Sequence, residues 1–172
     1  MALDRLVREI CVPLAEYPHI GIDATLRDAI AALHAGLERG RRYRHVLVLS
    51  ATHELVGVLG MRDILHGLLP DYLRSGELGH HAEGSLPDFP ALTLIWAETS
   101  RLQCKEAATR PVCDFMRPVP ARVGLDDPLT KAAYLMILHD ISMLPVTDGV
   151  RLAGVVRMID VFHEAARAVL DD

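Results

Sequence analysis

The sequence predicts an α+β (mixed α/β) protein built from two tandem β-α-β-β-α repeats with a partly helical insertion between them. Three observations support this class: the chain repeats itself, each copy has a helix-start signal followed by apolar residues at helical spacing, and each copy then shows two short apolar runs. The chain has 172 residues, of which 51% are hydrophobic and 24% charged. This composition is typical of a folded domain and excludes disordered and collagen-like classes.

The repetition consists of four matched segments whose offset shrinks along the chain. The matched pairs, with the offset in residues, are Val7–Pro13 with Val112–Pro118 (105), Gly21–Asp23 with Gly124–Asp126 (103), His45–Val48 with Met143–Val146 (98), and Leu55–Asp63 with Leu152–Asp160 (97). Each change of offset falls where a loop is expected, whereas chance matches would not confine their gaps to loops. The sequence therefore predicts a first repeat at 1–69, an insertion at 70–111 and a second repeat at 112–172.

In the first repeat, Ile20–Ile22 predicts a short strand ahead of a helix. Thr25 and Asp28 form a capping-box pattern, and apolar residues at helical spacing follow as far as Leu37. The two apolar runs that predict paired strands, and the apolar residues that predict a closing helix, are Val46–Leu49 and Leu55–Leu59, then Ile64, Leu65, Leu68 and Leu69.

The second repeat has the same order of elements. Asp127 is predicted to be the N-cap of its first helix, with Pro128 at the first helical position. Asp148 and Gly149 predict a tight hairpin turn between its two longer strands. The predicted strands and the apolar residues of the closing helix are Val123–Leu125, Met143–Val146 and Leu152–Val156, then Ile159, Phe162, Ala166 and Leu170.

The insertion is predicted to be loop over Pro70–Pro90 and helix over Leu92–Ala108. A unit of about 60 residues buries too little apolar surface to be robust alone, so we expect the two repeats to share a core.

Several function classes are not expected. The net charge of −5 argues against a general nucleic-acid binder, and no apolar run reaches the ~18–20 residues of a membrane helix. The charged N-terminal segment has no apolar core of a signal peptide, so a cytoplasmic protein is expected. The three cysteines form no CxxC pair, and His80-His81 lacks further ligands at metal-site spacing. With no recognisable catalytic motif either, we expect neither a metal site nor an enzyme.

The repeat resembles the CBS domain, and the tandem pair resembles a Bateman module. The segments that carry the resemblance are V-x-D-F-M-R-P at Val112–Pro118, the helix at Leu125–Met136 and the hairpin at Met143–Val156, with weaker counterparts in the first repeat. The resemblance implies two clefts that bind an adenosine-containing ligand such as AMP, ADP, ATP or S-adenosylmethionine. It also implies a homodimer formed by the repeat helices. A stand-alone regulatory module that signals to an unknown effector protein is the expected function.

The same resemblance assigns site residues. In this family the segment after the hairpin reads G-apolar-apolar-Ser/Thr-x-x-Asp, so Asp63 and Asp160 are expected to hold ribose hydroxyls. The alternative for both is capping of the following helix. The hydroxyl is replaced by Gly60 in one copy, which would let a phosphate approach the backbone. It is replaced by Arg157 in the other, and two interpretations remain open: a phosphate contact, or a side chain that fills the cleft.

Five further residues are candidate ligand contacts. Arg44 and His45 end an arginine-rich run and are interpreted as phosphate contacts, with a solvated loop as the alternative. Arg62, Pro145 and Arg122 complete the predicted ligand-binding set. The competing functional hypothesis is a dimerising scaffold with degenerate, ligand-free clefts.

Overall fold

The computed structural model describes residues 5–41, 43–69 and 102–170, and it confirms the predicted α+β class. Within these ranges the strands form one sheet of four strands and one of three. The helices and strands of the first repeat are β1 (Val12–Pro13), β2 (His19–Gly21), α1 (Leu26–Glu38), β3 (His45–Leu49), β4 (Leu55–Gly60) and α2 (Met61–Leu68). Those of the second repeat are β5 (Val123–Gly124), α3 (Leu129–Leu138), β6 (Met143–Asp148), β7 (Arg151–Arg157) and α4 (Met158–Leu170).

Each repeat has the predicted order of strand, helix, two strands and helix. β2 and β3 pair in parallel and β3 and β4 antiparallel, and β5, β6 and β7 repeat this pattern. The predicted hairpin turn is confirmed, with Gly149 at a φ of 57° between β6 and β7. In the insertion, residues 102–107 are helical, which agrees with the end of the predicted helix. The rest of that prediction lies outside the described residues.

Helix α1 begins as predicted. The Thr25 backbone N–H donates to Asp28 Oδ2 over 2.8 Å, and the Asp28 N–H donates to Thr25 Oγ1 over 3.4 Å. The prediction for α3 was wrong, because the N-cap is Pro128 and no side chain caps it. The Asp127 carboxylate instead accepts hydrogen bonds from the Gly124 N–H at 2.7 Å and from Lys131 Nζ at 2.8 Å. It therefore closes the turn that precedes the helix.

Each sheet receives an edge segment from the other repeat. β1 of the first repeat pairs antiparallel with β7, placing Val12 opposite Val155. Arg117 of the second repeat forms the matching antiparallel bridge to Val58 of β4. Val12 and Arg117 are equivalent positions of the duplication, as are Val58 and Val155, so the exchange is reciprocal.

The first N–H groups of α1 and α3 also donate to carbonyl groups that lie outside their own repeat. The first N–H of α1, on Leu26, donates to the Arg110 carbonyl over 2.9 Å, and the first N–H of α3, on Leu129, donates to the Arg5 carbonyl over 2.9 Å. These N–H groups have no partner within their own helix. The first repeat satisfies the donor of α3 through Arg5, and the end of the insertion satisfies the donor of α1 through Arg110.

The hydrophobic core is shared between the repeats, as predicted. One buried cluster surrounds β3 and β4 but also contains Val112, Met143 and Val155 from the second repeat. The other surrounds β6 and α3 and contains Val7 from the first repeat. The apolar residues that predicted α4 lie mostly on its outer side, since Ile159 is 63% and Phe162 66% exposed, whereas Val161 is buried.

Candidate functional site

Asp63 lies in the first turn of α2, where β4 ends. Its Oδ2 accepts a hydrogen bond from the Gly60 N–H at 2.9 Å, so the carboxylate caps its own helix. Its Oδ1 pairs with Nη2 of Arg117 from the second repeat. The Asp63 side chain is only 12% exposed, while that of Arg117 is 64% exposed. The ion pair therefore consists of a fixed carboxylate and a guanidinium that faces solvent.

Gly60 leaves room for the ring of His45. The two residues lie directly opposite each other in the β3–β4 pair. A Cβ atom added at Gly60 would lie 3.2 Å from both His45 Cδ2 and Asp63 Oδ2, so the imidazole occupies the space beside the missing side chain. Burial lowers the pKa of His45, nearby Arg44 lowers it further, and Asp63 opposes both effects. The ring is therefore neutral at neutral pH.

A cavity of ≈ 500 Å³ opens beside this carboxylate. It is lined by Arg62, Asp63, His66, Asp114, Phe115 and Arg117. Asp114 is already paired with Arg110 at 3.0 Å. The cavity therefore offers one carboxylate for hydroxyl groups and two guanidinium groups for an anion.

The second repeat forms an equivalent cavity of ≈ 530 Å³ with different chemistry. It is lined by Ile10, Ile159, Asp160, Phe162, His163 and Glu164. Asp160 and His163 correspond to Asp63 and His66 of the first cavity, but the position of Arg62 is taken here by Ile159. No arginine lines this cavity among the described residues.

The Asp160 carboxylate is held by Arg157. Arg157 donates from Nε to Asp160 Oδ2 at 2.6 Å and from Nη2 to Oδ1 at 2.7 Å, so both oxygens are engaged. The guanidinium lies 5.9 Å from the ring centroid of Tyr43. Tyr43 packs against Tyr17 with ring centroids 4.8 Å apart, and both tyrosines are buried.

A family model described as the CBS domain matches residues 7–70 and 112–167. The chain belongs to the CBS-domain family. The predicted resemblance to a tandem CBS pair is therefore confirmed. A search of curated protein sequences gave no match.

Solved CBS structures share the fold over nearly the whole chain. The CBS domain of a CBS-domain-containing membrane protein from Sphaerobacter thermophilus matches at 19% identity and a TM-score of 0.64, covering 94% of this chain and 89% of that one. CBSX2 in complex with AMP matches at 21% identity and 0.61, covering 95% and 98%. The CBS domain of a bacterial CNNM/CorC-family Mg²⁺ transporter in complex with ATP matches at 23% identity and 0.60, covering 95% and 88%.

The CBS fold brings some of the predicted site residues together and separates others. Gly60, His45 and Asp63 meet at the end of β4, and Arg62 and Asp63 line the first cavity. Arg157 pairs with Asp160, which lines the second. Arg44 is exposed, and its carbonyl accepts the Met61 N–H at 2.9 Å, which fixes the start of α2.

Of the nine predicted residues, Arg62 and Asp63 line the first cavity and Asp160 lines the second. Pro145 and Arg122 are among those that line neither. Pro145 is buried in β6 opposite Val155, inside the sheet. Arg122 donates to the Leu55 carbonyl at 3.2 Å, at the end of β4 away from Gly60. Leu55 lies five residues before Gly60 along the strand, a distance on the order of 16 Å. Their assignment as ligand contacts stays a prediction.

Sequence reasoning missed the residues that come from the opposite repeat. Arg117 stands in the V-x-D-F-M-R-P segment that identified the family, but its ion pair with Asp63 crosses between repeats. Tyr17 and Tyr43 were also missed as neighbours of Arg157, since Tyr43, the nearer in sequence, lies 114 positions before Arg157.

The arginine-rich run ahead of β3 makes hydrogen bonds to the first repeat. Arg41 Nη1 donates to the Tyr43 hydroxyl at 3.0 Å and to Glu16 Oε2 at 3.2 Å. Arg39 and Arg41 line a third cavity of ≈ 370 Å³ together with Glu16 and Tyr43. The run is therefore bound to the first repeat and is not a fully solvated loop over its described residues.

Within the described residues, no helix is long and apolar enough to cross a membrane. The same residues contain no group of three or more His, Cys, Asp or Glu side chains placed to hold a metal ion. His80 and His81, which the sequence analysis considered as metal ligands, lie outside the described residues.

Proposed function

We propose that this tandem CBS module binds a phosphorylated adenosine in the cavity beside Asp63 and passes the binding signal to an effector protein in the cytoplasm. The observation that carries the proposal is one cavity lined by a carboxylate with little solvent exposure and by two arginines. A carboxylate accepts both hydroxyl hydrogens of a ribose, and guanidinium groups bind phosphate in a bidentate way. The AMP and ATP complexes of CBSX2 and the Mg²⁺ transporter domain, which share this fold, support the proposed ligand class.

Binding requires Arg117 to leave Asp63, and the geometry favours this exchange. The Arg117 side chain is 64% exposed and engages only Oδ1 of the carboxylate. Water solvates such a guanidinium when it leaves the carboxylate, so ribose hydroxyls can take its place at Oδ1. The released guanidinium is then available to a phosphate.

The charges of the cavity discriminate between adenosyl ligands. Arg62 and Arg117 attract phosphate groups and repel the sulfonium cation of S-adenosylmethionine. We therefore expect AMP, ADP and ATP to bind more tightly than S-adenosylmethionine.

The same exchange supplies a route for signalling. Asp63 belongs to the first repeat and Arg117 to the second, so a ligand that separates them changes a contact between repeats. The change affects an effector only if the ligand prefers one arrangement of the repeats over the other.

Calorimetry and thermal unfolding with AMP, ADP, ATP and S-adenosylmethionine test the proposal. At 100 times Kd, a ligand stabilises the folded chain by about 2.7 kcal/mol. We expect Asp63→Asn to weaken binding at least tenfold. Asp148→Asn is the control, because it makes the same substitution at an exposed position at the end of β6 and should leave binding unchanged. The absence of stabilisation by every one of these ligands at millimolar concentration would contradict the proposal, as would equal affinity of Asp63→Asn and wild type.

We also propose a homodimer through the outer face of the second repeat. Large apolar side chains on α3 and α4 are exposed there, namely Tyr134, Ile137, Leu138, Ile159 and Phe162. They recur at helical spacing on two helices that contact each other, which favours one shared apolar patch. Contiguous apolar patches of this kind mark interaction sites, and pairing of two copies buries the patch on both.

Sedimentation or light scattering tests the dimer. We expect Phe162→Asp to convert a dimer to a monomer, because it places a charge in the middle of the patch. Val150→Asp is the matched control, since Val150 is 99% exposed in the β6–β7 turn, away from α3 and α4. A monomeric wild-type chain, or a Phe162→Asp variant that still dimerises, would contradict this interface.

The second candidate function is a dimerising scaffold without ligand. It is favoured by the fact that both cleft carboxylates already pair with arginines of the chain itself. The ligand titration decides between the two candidates, because the scaffold predicts a dimer that no adenosyl ligand stabilises.

A further inference from the structure

We propose that Arg157 limits this module to one adenosyl ligand per chain by occupying the Asp160 carboxylate, which would otherwise hold a second ribose. One ligand per chain presupposes the proposed Asp63 site, whereas the closure of the Asp160 cleft depends only on Arg157 and its surroundings. Arg157 is thus a residue that determines which of two equivalent clefts accepts a ligand.

The ion pair engages both oxygens that a ribose would use. A ribose diol donates two hydrogen bonds, one to each carboxylate oxygen. Arg157 already donates to Asp160 Oδ2 at 2.6 Å and to Oδ1 at 2.7 Å. A ribose therefore has to compete at each oxygen with a planar, charge-assisted pair, whose guanidinium also occupies the space in front of the carboxylate.

This pair is harder to open than the pair between Asp63 and Arg117. The Arg157 side chain is 27% exposed, against 64% for Arg117, so solvent screens it less. Arg157 and Asp160 are three residues apart at the junction of β7 and α4, so local backbone geometry keeps them together. The Tyr43 ring at 5.9 Å from the guanidinium adds a cation–π contact on the side of the first repeat.

The cavity beside Asp160 is also unsuited to phosphate. Its lining includes the apolar side chains of Ile10, Ile159 and Phe162, and its second acid is Glu164. Glu164 is 5% exposed and accepts a hydrogen bond from Arg5 Nη1 at 2.5 Å, so its charge is buried beside the cavity. Glu164 Oε1 also lies 3.6 Å from Arg167 Nη1. A phosphate placed in this cavity finds no arginine among the described lining residues, whereas the equivalent site beside Asp63 offers Arg62 and Arg117.

The test counts bound ligands at saturation by equilibrium dialysis, with AMP and with adenosine as separate probes. Adenosine is included because the Asp160 cavity lacks groups for phosphate. Arg157→Ser restores the hydroxyl found in the family pattern and frees Asp160, and Arg157→Gln frees it while keeping a longer side chain. Arg151→Ser is the control, because Arg151 is exposed at the other end of β7. Thermal unfolding shows which variants remain folded.

We expect one ligand per chain in wild type and in Arg151→Ser, and two per chain for at least one probe in a folded Arg157 variant. The added site should disappear again in Arg157→Ser/Asp160→Asn. One ligand in wild type and in every folded Arg157 variant overturns the role of Arg157 and leaves the Asp63 site intact. Two ligands in wild type also overturn it.

The outcomes without wild-type binding separate this inference from the proposed function. No ligand in wild type but one in Arg157→Ser, lost with Asp160→Asn, supports the role of Arg157 and contradicts the Asp63 site. No ligand in wild type or in any folded variant overturns both proposals.

Discussion

Val58 and Arg117 exchange both of their backbone hydrogen bonds, at 2.8 and 3.0 Å, although they belong to different repeats. Val12 and Val155 form the equivalent antiparallel pair on the other sheet. Each sheet is therefore completed by a segment of the opposite repeat, and damage to one segment is expected to destabilise both repeats together.

Arg117→Pro tests the contribution of this bridge. Proline removes the N–H that donates to the Val58 carbonyl, so we expect a loss of about 3 kcal/mol or more in the free energy of unfolding. Arg117→Ala keeps both backbone bonds and loses only an ion pair whose guanidinium is solvent-exposed, so it should cost less than Arg117→Pro. Urea unfolding measures the difference. Equal losses in the two variants would show that the backbone exchange contributes nothing.

Gly154→Ala tests how closely β1 approaches β7. An alanine Cβ at Gly154 would lie 2.1 Å from the Val12 carbonyl oxygen, so the exchanged strand has to move. At Gly57 the nearest atom is Met116 Sδ at 2.7 Å, which belongs to a flexible side chain, and at Gly21 no atom lies within 4 Å. We expect unfolding free energies to fall in the order Gly21→Ala, Gly57→Ala, Gly154→Ala, with the last losing about 3 kcal/mol or more. A Gly154→Ala variant as stable as Gly21→Ala would contradict the close approach.

Thr25→Ala tests the cap of α1. The hydroxyl of Thr25 accepts the Asp28 N–H, and its removal is expected to cost about 1 kcal/mol of unfolding free energy. Thr130→Ala is the control, because Thr130 is exposed within α3 and caps no helix. Denaturant titration of both variants gives the comparison, and a loss no larger than that of Thr130→Ala argues against the cap.

The buried ring of His45 predicts a stability that falls in mild acid. Burial lowers its folded-state pKa below the ordinary 6.5, with Arg44 adding to the effect and Asp63 opposing it. As the pH falls through about 6.5, the unfolded chain takes up a proton that the folded chain does not, so the free energy of unfolding decreases. The decrease ends once the pH drops below the folded-state pKa.

Urea unfolding at pH 7.5 and 5.5 measures this effect. We expect His45→Gln to reduce the loss between the two pH values, and His34→Gln, at an exposed position of α1, to leave it near the wild-type value. An unchanged loss in His45→Gln would show that another group accounts for the acid sensitivity.

Local patterns in the sequence were sufficient for much of the fold. The Thr25 cap and the Gly149 turn depend on neighbours within a few residues, so sequence spacing predicts them directly. The prediction that Asp127 caps α3 was also wrong for a local reason. The Gly124 N–H and Lys131 compete for its carboxylate, and spacing alone does not rank these partners.

The site was less predictable because its contacts join distant segments. The pattern after the hairpin located Asp63, Asp160 and Arg157, but not Arg117. Arg157 binds Asp160 from within the same repeat, whereas Arg117 reaches Asp63 from the other one. The Arg117 contact follows from the exchange of edge segments, and that exchange is a property of tertiary structure.

The exchange of edge segments also explains how the two clefts can differ. Two identical repeats could complete each other in the same way around a twofold axis, but every substitution in such a symmetric pair appears in both clefts. In a single chain the two copies are encoded separately. An arginine therefore stands at position 62 and an isoleucine at the equivalent position 159, while a glycine at position 60 corresponds to Arg157. Joining the repeats in one polypeptide breaks the symmetry and gives the module two chemically distinct faces within one shared core.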